Sequence, residues 1–369
     1  MKNNIIDLFS GCGGFALGAE LAGFSSKFSV DIDPDLQSSY EKNFPKSEVI
    51  NADIAKFNRS FWKKKLNGIK LDGVIGGPPC QGFSYIGKRA EDDPRNELIS
   101  QFYKQVSYIL PKFFIMENVQ GLVDKSSIGI LNTGIESLPK RYKVLAPMIV
   151  NAADYGAATN RKRVIVVGYD AEYVDQIDPT ELYPTHKLKM LTVKDAISDL
   201  PRPLDSELKD DYHWGYYPRR RGRNSDYVNK CKSISKNLGW GESISKLRKG
   251  MISGLSPTRH SDSVISRFKS LPQGKIDKIS KFPRLEWEGK CPTLRAGTGK
   301  ANGAYQSVRP IHPEENRVIT VREAARLQGF PDWFVFHKTK WHSFRMIGNS
   351  VCPIVSEHLH RVIYSKINA

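Results

Sequence analysis

Residues 76–84 read Gly-Gly-Pro-Pro-Cys-Gln-Gly-Phe-Ser and contain the best candidate nucleophile of the chain, Cys80. An apolar run that includes Leu71, Val74 and Ile75 leads into them and reads as a strand. Two prolines restrict the backbone just before the cysteine, and Gly82 lets the chain swing away after it. Such framing presents one thiol at the mouth of a sheet, where ligands bind in open α/β folds. A free thiol with a pKa of about 8.5 is only about 3% ionised at neutral pH, so a working nucleophile needs surroundings that favour the anion. Glu117, in Glu117-Asn118-Val119, closes a second strand-like run and is expected to rise on the same sheet edge. A thiol and a carboxyl brought together suit addition to an electron-poor ring, assisted by protonation; the alternative for Glu117-Asn118 is a strand-end cap. Asn160-Arg161-Lys162-Arg163 opens a later strand, where arginines suit a phosphate or a base carbonyl, or are simply solvated.

A second chemistry is written into residues 7–14, Asp-Leu-Phe-Ser-Gly-Cys-Gly-Gly, between the first strand-like run and the first helical one. Glycines there let backbone amides approach a ligand, and the helix start beyond favours negative charge. Asp31 ends the next strand about 20 residues on, where an acid holds ribose hydroxyls. Asp53, after a third strand, is placed to serve an adenine ring. The spacing fits a dinucleotide or a nucleoside-like cofactor, with helix–strand packing as the plain alternative for the glycines.

The elements that must position these groups alternate in βα style over the first 170 residues. Strands are expected over 5–9, 27–31, 71–76, 112–117, 143–150 and 164–169, and helices over 15–22, 34–43, 97–110 and 128–138. Such alternation implies a largely parallel sheet covered on both faces. From about residue 178 to 316 prolines, tyrosines, serines and basic residues dominate, no long helical period is evident, and a separate irregular domain is expected. Helices return over 321–327 and 351–367.

The 369 residues carry a formal net charge of +17, unevenly spread: residues 212–290 hold 18 Lys and Arg against 6 Asp and Glu. A local excess of this kind is the footprint of a polyanion partner, or else a solvated basic face. Aromatic and cationic residues mix in this stretch, at Tyr212, His213, Trp214, Tyr216 and Tyr217 and then Arg219, Arg220, Arg221 and Arg223. Residues 256–261, around Arg259, are a further candidate for contacting bases. The five cysteines are scattered and never spaced as CxxC, which argues against a disulfide framework or a zinc site and for a reducing, cytoplasmic setting. No apolar run reaches the length of a spanning helix, and no signal peptide is apparent.

Taken in order, these segments resemble the DNA cytosine-5 methyltransferase family of the bacterial restriction-modification type. The resemblance is carried by DLFSGCGGF (7–15), DIDPD (31–35), GGPPCQGFS (76–84), ENV (117–119), NRKR (160–163), REAARLQGFPD (322–332) and GNSVCP (348–353). Two departures stand out: Ala158-Thr159 where the family usually has Pro-Gln, and Cys352-Pro353 where it more often has Pro-Pro. The resemblance implies a doubly wound, Rossmann-like α/β sheet of the S-adenosylmethionine-dependent kind, with a smaller, irregular target-recognition domain. The catalytic domain would span 1–185, completed by 345–369, and the recognition domain and hinge 186–344.

By the same resemblance Cys80 would add to carbon 6 of cytosine, Glu117 would bind ring nitrogen 3 and the exocyclic amine, Arg163 would contact the base carbonyl and Arg161 would support the catalytic loop. S-adenosylmethionine would meet Phe9, Ser10, Gly11, Cys12 and Gly14 at the first turn and Pro78 ahead of the nucleophile. Asp31 and Ile32 would hold its ribose and flank the adenine, Asp53 and Ile54 would reach the adenine edge, and Leu98 would pack nearby. Asn349, Ser350 and Val351 would return from the far end of the chain. The target base must be flipped from the duplex. A loop over 81–96 carrying Lys88, Arg89 and Arg95 would close on the DNA, with Ser84 on a phosphate, and Arg219, Arg220, Arg221 and Arg259 are DNA-binding candidates. Double-stranded DNA is the implied partner, with a monomer expected near the bacterial nucleoid and room for a cognate restriction endonuclease encoded nearby.

Rival readings fare worse. A zinc deaminase needs a second cysteine three positions after its first, where Phe83 stands. A cysteine hydrolase needs a histidine base, and none of the eight histidines lies in a catalytic block. The alternative of the same chemistry is a relative acting on tRNA, whose Cys-Phe-Thr signature is absent here. A binding module without activity is opposed by intact Cys80, Glu117 and Arg163.

Overall fold

The computed structural model describes residues 3–79, 97–184, 190–203, 212–218, 225–297 and 309–367. Its first half runs β1 (Asn4–Leu8), α1 (Gly14–Leu21), β2 (Ser25–Asp31), α2 (Pro34–Asn43), β3 (Glu48–Asn51), α3 (Arg59–Leu66) and β4 (Gly73–Gly76). There follow α4 (Glu97–Ile109), β5 (Phe113–Val119), α5 (Ile128–Glu136), β6 (Tyr142–Val144), β7 (Met148–Asn151), β8 (Thr159–Asn160) and β9 (Lys162–Asp170). The sheet order is β3-β2-β1-β4-β5-β9-β6, with β7 also paired to β9.

Alternation along the strands sends side chains to two separate cores. Ile5, Ile75, Phe113, Ile115, Ile165 and Val167 pack on one face. Ile6, Leu8, Val74, Phe114, Met116, Val164 and Val166 pack on the other, against Trp62 of α3 and Phe102 and Val106 of α4. The central runs of β1, β4, β5 and β9 are therefore apolar on both faces, as a sheet covered on both sides requires.

β1 to β5 are parallel, but β9 runs antiparallel to β5, and β6 and β7 run antiparallel to β9. The expected largely parallel sheet thus has an antiparallel flank. The run read as one strand over 143–150 is two, broken at residues 145–147. A short apolar run shows neither direction nor a break of this kind by its periodicity.

The remaining elements are α6 (Val193–Ile197), β10 (Gly215–Tyr216), α7 (Asp226–Lys232), α8 (Gly241–Arg248), β11 (Met251–Ile252), α9 (Asp262–Lys269) and β12 (Cys291–Pro292), then α10 (Val321–Leu327), α11 (Lys340–Asn349) and α12 (Pro353–Ile367). Among the described residues the middle segment holds three helices of seven or eight residues, too short to announce a period. α3 and α11 are likewise additions to the expected helices, and the terminal helix begins at Pro353 rather than 351. Proline at a helix start loses no hydrogen bond.

α12 lies against α1, where Ser356 Oγ donates to the Phe15 carbonyl at 2.6 Å. The resembling block 322–332 is buried structure. Arg322 donates to Ser253, Pro331 and Phe334, and Gln328 Nε2 donates to the carbonyls of Ile347 and Ser350 at 2.7 and 3.0 Å. Among the described residues no helix is long and apolar enough to cross a membrane.

Candidate active site

The sheet order reverses between β1 and β4, whose neighbours lie on opposite sides, so their carboxyl ends part at a crevice. There a cavity of about 560 Å³ opens. Phe9, Ser10, Gly11, Cys12 and Gly14 line it from the β1 turn, Asp31 and Ile32 from β2, Pro78 from the β4 loop, and Asn349, Ser350 and Val351 from the chain's end. Glu117, Arg161 and Arg163 line the same cavity. Asp53, Ile54 and Leu98 are not among its lining residues. Asp53 instead caps a helical turn by accepting from Ala55 N at 3.0 Å, and Ile54 is buried in the core beneath β2 and β3. Cys80, Ser84, Lys88, Arg89, Arg95, Arg219, Arg220 and Arg221 lie outside the described residues.

Asp31 is held by two backbone amides: Gly11 N donates to Oδ2 at 2.8 Å and Asp33 N to Oδ1 at 2.9 Å. Burial raises its pKa above the ordinary carboxylate value, against those hydrogen bonds. Asp7, at the end of β1, is buried with Oδ2 unpartnered, and burial with Asp31 beside it pushes its pKa well up. Ile32 stays 70% exposed at the cavity's rim. Two glycines are obligatory. A Cβ at Gly14 would overlap Ser350 Oγ and the Val351 carbonyl, and one at Gly348 would overlap the backbone at Arg295 and Ala296. Both motifs therefore need glycine because separate chain segments touch through them.

At the other end of the cavity Arg163 Nε stands 2.9 Å from Glu117 Oε1. The approach is an ion pair in distance but off line as a hydrogen bond, so Oε1 has no aligned donor. Register explains the meeting: in the β5–β9 ladder Glu117 opposes Ile165 and Val119 opposes Arg163, a diagonal that a long side chain spans. Burial lowers the Arg163 pKa, and Glu117 opposes without cancelling it. Asn118 Nδ2 donates to the Pro78 carbonyl at 3.0 Å, tying the β4 loop to the end of β5 two residues before Cys80.

Arg161 is a clamp. It is 2% exposed and donates to the carbonyls of Leu294 at 3.2 Å and Ser350 at 2.8 Å. Burial, then Arg163, lowers its pKa to about 9, still charged at neutral pH. The departing Ala158-Thr159 also serves this junction: β8 pairs with β12, Cys291 N donates to the Ala158 carbonyl at 2.9 Å, and Thr159 Oγ1 donates to that of Cys291 at 3.1 Å.

Sequence reasoning missed two parts of the wall. Residues 293–297 enter from the middle segment, and Arg345 of α11 pairs with Asp33 at 2.6 Å. The only signal for the first was a Thr-Leu-Arg-Ala-Gly run of small and polar residues. Cys12, Cys231, Cys291 and Cys352 are buried, with their thiol pKa values raised by burial. None has a nucleophile's setting.

Compared with known proteins, the chain matches the C-5 cytosine-specific DNA methylase model over residues 3–365. It is similar to the type II methyltransferase M.XorII of Xanthomonas oryzae pv. oryzae, 39% identical over 360 residues, covering 95% of this chain and 82% of that one. A solved Escherichia coli structure, described as a prophage-encoded DNA modification methyltransferase, matches with a TM-score of 0.88 at 42% identity over 100% of both chains. The S. pombe Dnmt2 methyltransferase shares the fold, with a TM-score of 0.60 at 17% identity over 99% of each chain.

Proposed function

The chain belongs to the C-5 cytosine-specific DNA methylase family and is a DNA (cytosine-5-)-methyltransferase of the type II restriction-modification kind; from that premise we propose that it methylates cytosine within one short duplex sequence through a Cys80 adduct served by Glu117 and Arg163. The observation that carries this reading is the Glu117–Arg163 pair, with Glu117 buried and Arg163 part-buried, facing the cavity, and Glu117 Oε1 lacking an aligned donor.

The family implies S-adenosylmethionine. Three features of the cavity fit it: its size, the amide-held Asp31 where a ribose needs an acceptor, and bare Ile32 where an adenine needs a face. Unpartnered Asp7 Oδ2 and the turn at residues 9–14 suit its cationic, polar end. When bound, the cofactor supplies a methyl group on a positively charged sulfur.

The chain's own part is to make carbon 5 of cytosine nucleophilic. The Cys80 thiolate adds at carbon 6, and Glu117 holds ring nitrogen 3 and the exocyclic amine as charge develops on the ring. Arg163 keeps Glu117 in place and reaches the base carbonyl. Carbon 5 then accepts the methyl group, and loss of its proton expels Cys80. Extracting the base from the duplex costs a few kcal/mol, which the basic middle segment must offset through backbone contacts. We assign 1–185 with 345–369 to catalysis and 186–344 to target recognition, the latter lending residues 293–297 to the cavity wall. A monomer acting on DNA in a bacterial cytoplasm, beside a restriction enzyme of matching specificity, completes the reading.

Base-resolution mapping of 5-methylcytosine in DNA from cells making this protein, against an empty-vector control, tests it. Methylation at one short sequence is expected; unchanged DNA with methylated RNA would move the activity to the tRNA alternative. Cys80→Ala is expected to keep cofactor and DNA binding and to abolish transfer.

A further inference from the structure

A second, smaller cavity of about 10 Å³ lies beside the Glu117–Arg163 pair, lined by Glu117, Arg161, Arg163, Val150, Cys352 and Val355 among others. Its place follows from register. Residues 161, 163 and 165 alternate onto one face of the extended chain, while Lys162 between the two arginines is exposed. Ile165 opposes Glu117 in the β5–β9 ladder and Val150 opposes Arg163 in the β7–β9 ladder, so all of these side chains share that face. The helix α12 covers it, with Val355 in the cavity wall.

Two charged groups reach this cavity incompletely bonded. Arg161 Nη1 and Nη2 are fixed on the Leu294 and Ser350 carbonyls, yet its Nε is buried and, among the described residues, has no acceptor. Glu117 Oε1 is buried with no aligned donor. The two groups are near enough for Glu117 to act on the Arg161 charge, but no hydrogen bond joins them. The other side chains of the wall serve neither. Val150, Ala152, Ile165, Val351 and Val355 are apolar, and the Cys352 thiol donates to the Gln328 carbonyl at 3.2 Å. A buried donor and a buried acceptor left unmade each cost free energy, and a polar cavity of this size has room for one water.

We propose that one water in this cavity accepts from Arg161 Nε and donates to Glu117 Oε1, making Arg161 a positioning residue for that carboxyl. This role rests on the methyltransferase reading, in which Glu117 holds the cytosine ring. Arg163 and the water together turn Oε1 inward, and Oε2 is left for the base. Gly77 keeps that side open: a Cβ there would stand 3.4 Å from Oε2. Because the same guanidinium grips Leu294 and Ser350, the carboxyl is set in register with segments from the middle and the end of the chain.

The first test is a crystal structure of the full chain at a resolution that shows ordered water. Density within about 2.7–3.2 Å of both atoms is expected; a dry cavity or a direct Nε–Oε1 bond overturns the proposal. The second is single-turnover methyl transfer by Val355→Ile, which fills the cavity without touching either charged group. It should lose the water and transfer about tenfold more slowly, the worth of one hydrogen bond to a charged group, with duplex and cofactor affinities unchanged. Ala152→Val, filling the cavity from another wall, should do the same. Val355→Thr, close to valine in shape, should keep both the water and the wild-type rate. A filled variant that lacks the water yet transfers at the wild-type rate overturns the positioning role, as does equal slowing in Val355→Thr with the water retained. A wild type that holds the water but transfers no methyl group to DNA overturns the reading of Glu117, and the role with it.

Discussion

Arg326 and Arg163 are both drawn from the sheltered parts of the molecule and both sit against carboxylates, yet they end in opposite states. Arg326 is fully buried and spends its donors on five acceptors: both oxygens of Asp332, both of Asp199, and the Ala196 carbonyl. Lys232 adds a 3.1 Å contact to Asp199, and the Tyr217 hydroxyl donates to Asp332. Burial works against the Arg326 charge, but Asp332 and its neighbours raise the pKa well above the ordinary value. Arg163 has a single carboxylate, off line, and its pKa moves the other way. The first network is complete and binds α6, α7 and α10 into one body. The second is left incomplete where it faces a cavity, which is the setting the proposed role of Glu117 and Arg163 requires.

The contrast can be broken most forcefully at the complete network. Arg326→Ala strands two buried carboxylates and should cost about 3–5 kcal/mol of stability in urea unfolding, with cofactor and DNA binding lost together. Glu117→Gln should leave stability within about 1 kcal/mol and lower the single-turnover rate of methyl transfer about 10²–10³-fold. If Glu117→Gln unfolded the protein while Arg326→Ala spared it, the assignment of the two networks would be reversed.

A third buried group sharpens the comparison through pH. His360, packed among Phe15, Phe24 and Phe113, is held by burial at a pKa of about 4 rather than 6.5. The unfolded chain therefore takes up the proton first, and stability is lost as pH falls from about 6.5 to about 4, by about 3 kcal/mol in all. Chemical denaturation over that range should show the loss, and His360→Asn should flatten it. The smallest effect belongs to the rim: the part-exposed Arg345–Asp33 pair is worth at most about 1 kcal/mol. Arg345→Ala should raise the KM for S-adenosylmethionine several-fold at most and leave kcat unchanged.

Much of the site was legible because its residue types are forced by local chemistry. A helix end touched by a distant backbone must be glycine, so Gly14 at the start of α1 and Gly348 near the end of α11 appear in readable motifs. An acid at a strand's carboxyl end, as at Asp31 and Glu117, needs no tertiary knowledge to be suspected. Asp53, Ile54 and Leu98 were harder to place, because whether a side chain after a strand faces a cavity or the core depends on how the next helix packs; Ile54 went to the core. Residues 293–297 and Arg345 carried no pattern of their own. They reach the cavity through β8–β12 pairing and the Gly348 contact, across more than 100 residues of chain in the first case.

By itself the sequence determined the order of the βα units, the apolar runs that split into two cores, the glycine-rich turn after β1 and the basic segment. Tertiary structure alone decided the direction of β9. Arg163 opens that strand, and in a parallel sheet an opening residue lies at the amino edge, away from Glu117. Running β9 antiparallel to β5 carries it to the carboxyl edge and sets the two side chains 2.9 Å apart. Strand direction depends on pairing with residues far away in the chain, and side-chain alternation is the same for either direction, so no local pattern could have given it.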